Sequence, residues 1–354
     1  MVGAKRVIPV TMFDVADAAG VNQSTVSRAL AGDTSISQAT RLRIADAAER
    51  LGYVANQNAV RLRTGRTGTL AVVVVCRAEE GSRDINPFYF ALLGSVCAAA
   101  SAKGYETLVS FHDGPGPATA RYVERGQADG LIVIGTTENR AAWSEFRQRA
   151  DGGVPTICWG SPFDELEWVR SDNASGARLA TEHLIAQGYR RIACVGSHVS
   201  PQRQFTERYE GFVAAMRDAG LEPAFQSIEE GLPREEQGRR AAAALVEGGT
   251  AFDAIYVVCD LIALGVLDEL RRRDIAVPGR VGVAGFDGIR HGAHASPPLT
   301  TVEPAFSEAG DMLVDGLLQI LQGQSPGRQR VPVALIVRGS SLRMGVAAVA
   351  STVA

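Results

Sequence analysis

From Leu70 onward, short apolar runs alternate with longer amphipathic stretches, and this rhythm restricts the possible folds more than any other feature of the chain. The runs are Leu70 to Val75, Thr107 to Phe111, Gly130 to Ile134, Thr156 to Trp159, Ile192 to Val195, Ala254 to Val258 and Val281 to Phe286. Between most of them lie helix-patterned stretches such as Tyr89 to Lys103, Ala174 to Gln187, Thr206 to Ala219 and Leu261 to Arg273, several closing on Gly104, Gly188 or Gly220. Alternation of this kind specifies parallel sheets covered by helices. So many strands fit two sheets better than one. The break is expected at Trp168 to Asn173, and the late helix Phe306 to Leu321 and strand Val331 to Val337 are expected to return and complete the two halves.

The first part of the chain has a different pattern. Residues Thr11 to Leu30, TMFDVADAAGVNQSTVSRAL, read as two short helices joined by a tight turn at Gly20. Thr11 can cap the first helix with Asp14 three residues on, and Val15, Ala16 and Ala19 form its inner face at helical spacing. Gly20 supplies a turn that bulkier residues resist, Val21 plugs the core, and a second helix runs from about Gln23 with Val26, Ala29 and Leu30 inward. Its outer face carries Gln23, Ser24, Thr25, Ser27 and Arg28, hydrogen-bonding side chains suited to base edges and phosphates in a major groove. Taken alone, this window also fits a plain helical hairpin with a solvated polar face. Ser37 starts a third helix, QATRLRIADAAERL, in which Ile44, Ala48 and Leu51 recur at helical spacing before a stop at Gly52. The stretch from Asn56 to Arg63 is helix-compatible but only about two turns long, so it should order only against a partner.

Charge divides along the same line. Residues 1–67 hold nine Lys/Arg against five acids, whereas the rest holds 27 bases against 34 acids, within a net charge of −3. A basic module on an acidic body is expected if only the first module meets phosphates; a basic solvated face is the plainer alternative. The five cysteines (Cys76, Cys97, Cys158, Cys194, Cys259) lie scattered in apolar runs with no CxxC pair, which reads as buried free thiols. His291 and His294 have no evident third ligand, so no metal and no cofactor are expected. A phosphate-binding loop ending in Lys-Ser/Thr is excluded, since Lys5 and Lys103 are the only lysines, and neither Gly-x-Ser-x-Gly nor His-Glu-x-x-His occurs. Nothing in the sequence supports an enzyme. No apolar stretch approaches the membrane-spanning length of about 20 residues, and the opening MVGAKRVIPVTMFDV lacks a secretory apolar run, so a cytoplasmic protein is expected.

The stretch FDVADAAGVNQSTVSRAL, the segment GYVANQNAVRLRTGRT, the NPF at Asn86 to Phe88, and the later VPGRVGVAGFDGI and PPLTTV together resemble the lactose-repressor (LacI/GalR) family of bacterial transcription regulators over about residues 11–343. The resemblance implies a DNA-binding headpiece, a hinge helix, and a core like periplasmic sugar-binding proteins with an effector between two subdomains. By position it implies operator contacts at Gln23, Ser24, Thr25, Ser27 and Arg28, and hinge contacts at Asn56, Ala59 and Leu62, the last an apolar wedge for a minor-groove step. It further implies effector contacts at Arg208 and Asp287, with Phe88, Phe90 and Trp159 offering flat faces to a sugar ring. Arg208 in a surface ion pair and the aromatics as ordinary core are the plainer alternatives. The sequence departs from the family pattern at Ala55, Val60, Thr206, Cys259 and Gly288.

The expected architecture is therefore an all-α helix-turn-helix headpiece plus an α/β core of two parallel-sheet subdomains. Expected boundaries are 11–55 for the headpiece, 56–67 for the hinge and linker, 68–170 with 303–325 and 171–302 with 326–344 for the two core subdomains, and 345–354 for a tail without leucine heptads. The expected function is a homodimeric transcription regulator, a repressor, that binds double-stranded operator DNA and whose affinity is set by a small-molecule effector, a mono- or oligosaccharide. A periplasmic-type solute-binding protein is the alternative.

Overall fold

The computed structural model describes residues 10–30, 32–53, 65–77, 85–112, 121–198, 202–249 and 251–343, in two compact units that divide between Thr67 and Gly68. In the first unit, α1 (Met12–Ala19), α2 (Gln23–Leu30) and α3 (Gln38–Leu51) pack around Val15, Val26, Ile44 and five alanines. The helix ends have local causes. The Asp14 carboxylate accepts hydrogen bonds from the Thr11 N–H and hydroxyl, both at 2.7 Å, at the start of α1. Asn22 opens α2 by accepting from the Thr25 N–H at 2.8 Å, and Ser37 opens α3 by accepting from the Thr40 N–H at 3.3 Å. Gly20 and Gly52 end α1 and α3 at φ 63° and 64°, where a Cβ is disfavoured. Two leucines depart from expectation: Leu30 is 41% and Leu51 38% exposed. Ala47 is buried on α3 instead, and small residues let the three helices approach closely.

The second unit contains two sheets. The first half begins with β1 (Thr69–Val75), α4 (Pro87–Ala102), β2 (Glu106–His112), β3 (Gly130–Gly135), α5 (Arg140–Asp151), β4 (Thr156–Trp159) and β5 (Trp168–Ser171). The second half follows with α6 (Asn173–Ala186), β6 (Ile192–Gly196), α7 (Arg203–Asp218), β7 (Ala224–Ser227), α8 (Arg234–Glu247), β8 (Ala254–Val257), α9 (Asp260–Arg272), β9 (Gly282–Phe286), α10 (Arg290–Ala293) and β10 (Thr300–Pro304). The chain then returns with α11 (Phe306–Ile320) and β11 (Gln329–Val331) to the first half and β12 (Val333–Ile336) to the second. Strand order is β11-β5-β4-β3-β1-β2 in one sheet and β12-β10-β9-β8-β6-β7 in the other; the β10–β12 pair is antiparallel and the others are parallel. β1 shows why its run is apolar throughout. Leu70, Val72 and Val74 pack with Leu92 and Val96 of α4 and Leu313 and Leu317 of α11, while Ala71, Val73 and Val75 pack with Trp143 and Phe146 of α5.

The chain crosses between halves at Asp172, Ala305 and Pro332, and the crossings bond to one another. The Asp172 N–H donates to the Val331 carbonyl at 2.9 Å and the Ala305 N–H to the Pro332 carbonyl at 3.0 Å. Pro332 corrects one expectation: residues 331–337 are not a single strand. β11 and β12 flank the proline and lie in different sheets, because a residue without an N–H cannot continue a ladder. Residues 329–331 thus join the first sheet, not the second as the boundary at 326 implied. β5, β7 and β10 were not among the apolar runs, and β5 lies at the expected break. β7 is a half-exposed edge strand with too little apolar character to stand out. No helix among the described residues is long and apolar enough to cross a membrane.

Candidate functional site

On α2, Gln23, Ser24 and Arg28 are exposed and Thr25 and Ser27 half-buried, so the five side chains named from the sequence share one helix. Asn22, which sequence reasoning missed, organises its first turn. Besides capping the helix, its Oδ1 accepts from the Thr25 hydroxyl at 2.7 Å and the Ser24 hydroxyl at 2.8 Å. The signal was there, since asparagine is a preferred residue immediately before a helix. Arg28 is tied to the loop that follows α2: its Nε donates to Asp33 Oδ2 at 2.9 Å and its Nη2 to Ser35 Oγ at 2.6 Å. The Ser35 hydroxyl and amide and the Arg28 guanidinium hold the Asp33 carboxyl well below the usual carboxylate range. Asn56, Ala59 and Leu62 lie outside the described residues.

In the second unit a cavity of about 520 Å³ lies between the two halves, where strands end and helices begin. The first half contributes Arg77 after β1, Phe88 and Tyr89 from the start of α4, Thr136 and Thr137 after β3, Trp159 from β4 and Ser171 from β5. The second contributes Gln204 and Arg208 from α7, Arg234 from α8, Cys259 before α9, and Asp287 and His291 after β9.

Arg208 and Asp287 meet at 2.9 Å, both buried. Arg208 Nε also donates to Asn173 Oδ1 at 2.8 Å, its Nη1 to the Val258 carbonyl at 2.6 Å, and its guanidinium lies 3.6 Å from the Phe286 ring centre. Burial pushes the Asp287 carboxyl above its ordinary value, and Arg208 pulls it part of the way back. Asp287 has φ 120°, a conformation that a residue with a side chain rarely adopts. A second buried acid fixes the loop bearing it: Asp260 accepts from the Thr301 hydroxyl at 2.7 Å and the Ile289 N–H at 3.0 Å.

A further set of bonds spans the cleft. Glu138, just before α5, accepts from Arg77 of its own half, and from Arg234 Nη2 at 2.6 Å and Gln202 Nε2 at 3.0 Å of the other half. Arg77 Nη1 in turn donates across to the Leu232 carbonyl at 2.9 Å. Burial raises the Glu138 carboxyl, but Arg234 and Arg77 outweigh it and the net shift is downward. Arg234 is held in place by close helix packing, because a Cβ on Gly238 of α8 would come within 2.0 Å of the Ile262 carbonyl of α9, and one on Gly265 within 1.9 Å of the Glu235 carbonyl.

Comparison with known proteins decides the family. Residues 11–56 match the model described as bacterial regulatory proteins, lacI family, and residues 181–341 match the periplasmic binding protein-like domain. The regulator CelR of Thermobifida fusca is 30% identical over 92% of this chain and 95% of its own length. The chain belongs to the lacI family. It is a DNA-binding transcription regulator with a helix-turn-helix headpiece and a two-subdomain α/β core. The ribose operon repressor of Escherichia coli K12, another member, is 30% identical over 94% of this chain and 99% of its own. The structure of a CelR–cellobiose complex superposes with a TM-score of 0.66 at 28% identity, over 94% of this chain and 99% of that one. The lac repressor dimer bound to operator and an anti-inducer shares the fold, with a TM-score of 0.75 at 24% identity over 95% and 100% of the two chains.

Of the cleft residues named from the sequence, Phe88, Trp159, Arg208 and Asp287 line the cavity, with the Phe88 and Trp159 rings 5.8 Å apart. Phe90 does not. It is 48% exposed and packs towards Phe111 at 6.5 Å, because the side chain two residues along a helix from Phe88 points to another face. Sequence reasoning missed Tyr89, Arg77 and Arg234 of the lining and Glu138, which ties Arg77 to Arg234, and it considered His291 only as a metal ligand. No local pattern marks them, since they come together only through the strand order.

Proposed function

We propose that the chain is a homodimeric repressor that reads a palindromic operator through Gln23, Ser24, Thr25, Ser27 and Arg28, and whose cleft takes a neutral, hydroxyl-bearing effector, a mono- or oligosaccharide. One observation carries the effector reading. Each guanidinium described in the lining already faces a carboxylate, while Thr137 Oγ1, Ser171 Oγ and Gln204 Oε1, buried on the same cavity, have no hydrogen-bond partner. Buried polar atoms of this kind need partners that a ligand can bring, and sugar hydroxyls both donate and accept. Among the described residues, an anionic ligand would have to compete with Glu138 and Asp287 for these guanidiniums. The Phe88 and Trp159 faces suit a sugar ring, and the complex of CelR with cellobiose lends support. Arg208 and Asp287, bound to each other, present one preformed polar surface to that ligand rather than two separate groups.

In this reading the effector shifts the closure of the cleft, and a coupling of about 1–3 kcal/mol would change operator affinity roughly 5- to 150-fold. Binding proceeds without turnover, and the protein works in the cytoplasm. A thermal-shift screen of neutral mono- and disaccharides beside their phosphorylated forms, followed by operator titration, tests it. Ser171→Ala and Thr137→Ala should weaken the ligand while leaving operator binding intact. Stronger stabilisation by a phosphorylated sugar than by its neutral parent would sink the effector class. Product formation abolished by Asp287→Asn would instead mark an enzyme.

A further inference from the structure

We propose that Asp33, assisted by Ser35, is a positioning residue for DNA recognition that presents the outer edge of the Arg28 guanidinium to a guanine. The proposal rests on the reading of Arg28 as a base contact. The Arg28 side chain is 54% exposed, and a long side chain so exposed ordinarily samples many rotamers. Here its Nε and Nη2 donate to Asp33 Oδ2 and Ser35 Oγ, so both bonds use the Nε/Nη2 edge of the planar fork. No bond to a described residue occupies the Nη1/Nη2 edge. That edge matches the paired O6 and N7 acceptors that guanine shows in the major groove.

Asp33 is itself held in place. Its Oδ1 accepts from the Ser35 N–H at 2.8 Å, its N–H donates to the Arg28 carbonyl at 3.0 Å, and its carbonyl accepts from the Ile36 N–H at 3.2 Å. The loop after α2 thus folds back onto the helix it leaves and fixes the guanidinium before DNA arrives, so less freedom is lost on binding. A carboxylate at this place has an opposite effect on phosphates, because it opposes the charge-driven attraction that dominates non-specific binding. Removing it should therefore lower specific discrimination without lowering non-specific affinity. A folding defect lowers both.

The test uses the purified full-length chain and a duplex that it selects from a randomised palindromic pool. The probes are that duplex, its single base-pair variants and a scrambled duplex. Arg28→Ala should flatten the preference at one symmetric G·C pair; if no pair loses preference, Arg28 reads no base and the underlying reading fails. With that pair located, Asp33→Ala should cut its discrimination about tenfold, the lower part of what a bidentate contact supplies, while affinity for the scrambled duplex holds or rises. Asp33→Asn leaves one oxygen to accept from either Arg28 or the Ser35 N–H and puts an amide donor where the other oxygen stood, so its loss of discrimination should lie between that of Asp33→Ala and the wild type. Ser35→Ala should give a smaller loss in the same direction. Unchanged discrimination in Asp33→Ala overturns the proposal, and so does a parallel fall in specific and scrambled binding with Ser35→Ala silent.

Discussion

The headpiece and the cleft are built from opposite materials. In the head, the proposed recognition side chains sit on one eight-residue helix and are exposed or half-buried, over a core in which five of eight buried residues are alanine. In the cleft, the charged side chains come from strand ends, helices and loops of both halves, are largely buried, and are bonded to one another. Under the proposed function, recognition and stability are therefore carried by different atoms in the head and by the same atoms in the cleft. Substituting an α2 surface residue should change binding and little else, whereas substituting a cleft residue should change binding and folding together.

The largest effect is expected where that sharing is most complete. Asp287→Ala leaves the Arg208 guanidinium buried without its carboxylate, which costs about 3–5 kcal/mol. Chemical denaturation of the core should show that loss, and the effector response should vanish while the folded fraction still binds operator. An unchanged denaturation midpoint would separate stability from function in the cleft and break the contrast. Ile44→Ala is the counterpart in the head. Ile44 is the largest side chain in a core otherwise made of two valines and five alanines, and its truncation should cost about 2–5 kcal/mol. For so small a unit that is a large share of its total stability. Calorimetry should show the head melting early with the core transition unmoved, and operator binding lost with effector binding retained.

The same contrast explains what could be read in the sequence. Much of the head was legible, because its turn, its caps and the polar face of α2 are local patterns: Thr11, Gly20 and Ser37 act within four residues of where they stand, and Asn22, which acts over the same range, was overlooked. The double-sheet core was legible from apolar runs that must be buried on both faces. The split at Pro332 was not, since the run reads through it and only the missing N–H divides the strand. In the cleft, Arg208 and Asp287 were reachable through family resemblance, yet nothing local says that they pair across 79 residues. Leu30 and Leu51 misled because helical periodicity assigns a face without saying how far a small core extends. Phe90 misled because an aromatic near a motif was counted with it, although two positions along a helix turn a side chain away.

The smallest effect concerns the bonds that span the cleft. Glu138→Gln keeps the shape but removes the charge that Arg77 and Arg234 share, and loss of charge-assisted bonds should weaken the closed cleft by about 1–3 kcal/mol. The sign of its pH dependence follows from the downward shift. With the carboxyl held below its ordinary value of 4.5 in the closed cleft, the contribution is fully present above that value and is lost as the pH falls through the lower one. Effector affinity measured between pH 8 and 6 should therefore show no contribution from this group, and should decline only in acid, where Glu138→Gln should flatten the decline. Small-angle scattering should report a wider average opening for the variant at neutral pH. A variant as closed and as tightly binding as the wild type would mean that the three crossing segments at Asp172, Ala305 and Pro332, not the polar bridge, set the angle between the two halves.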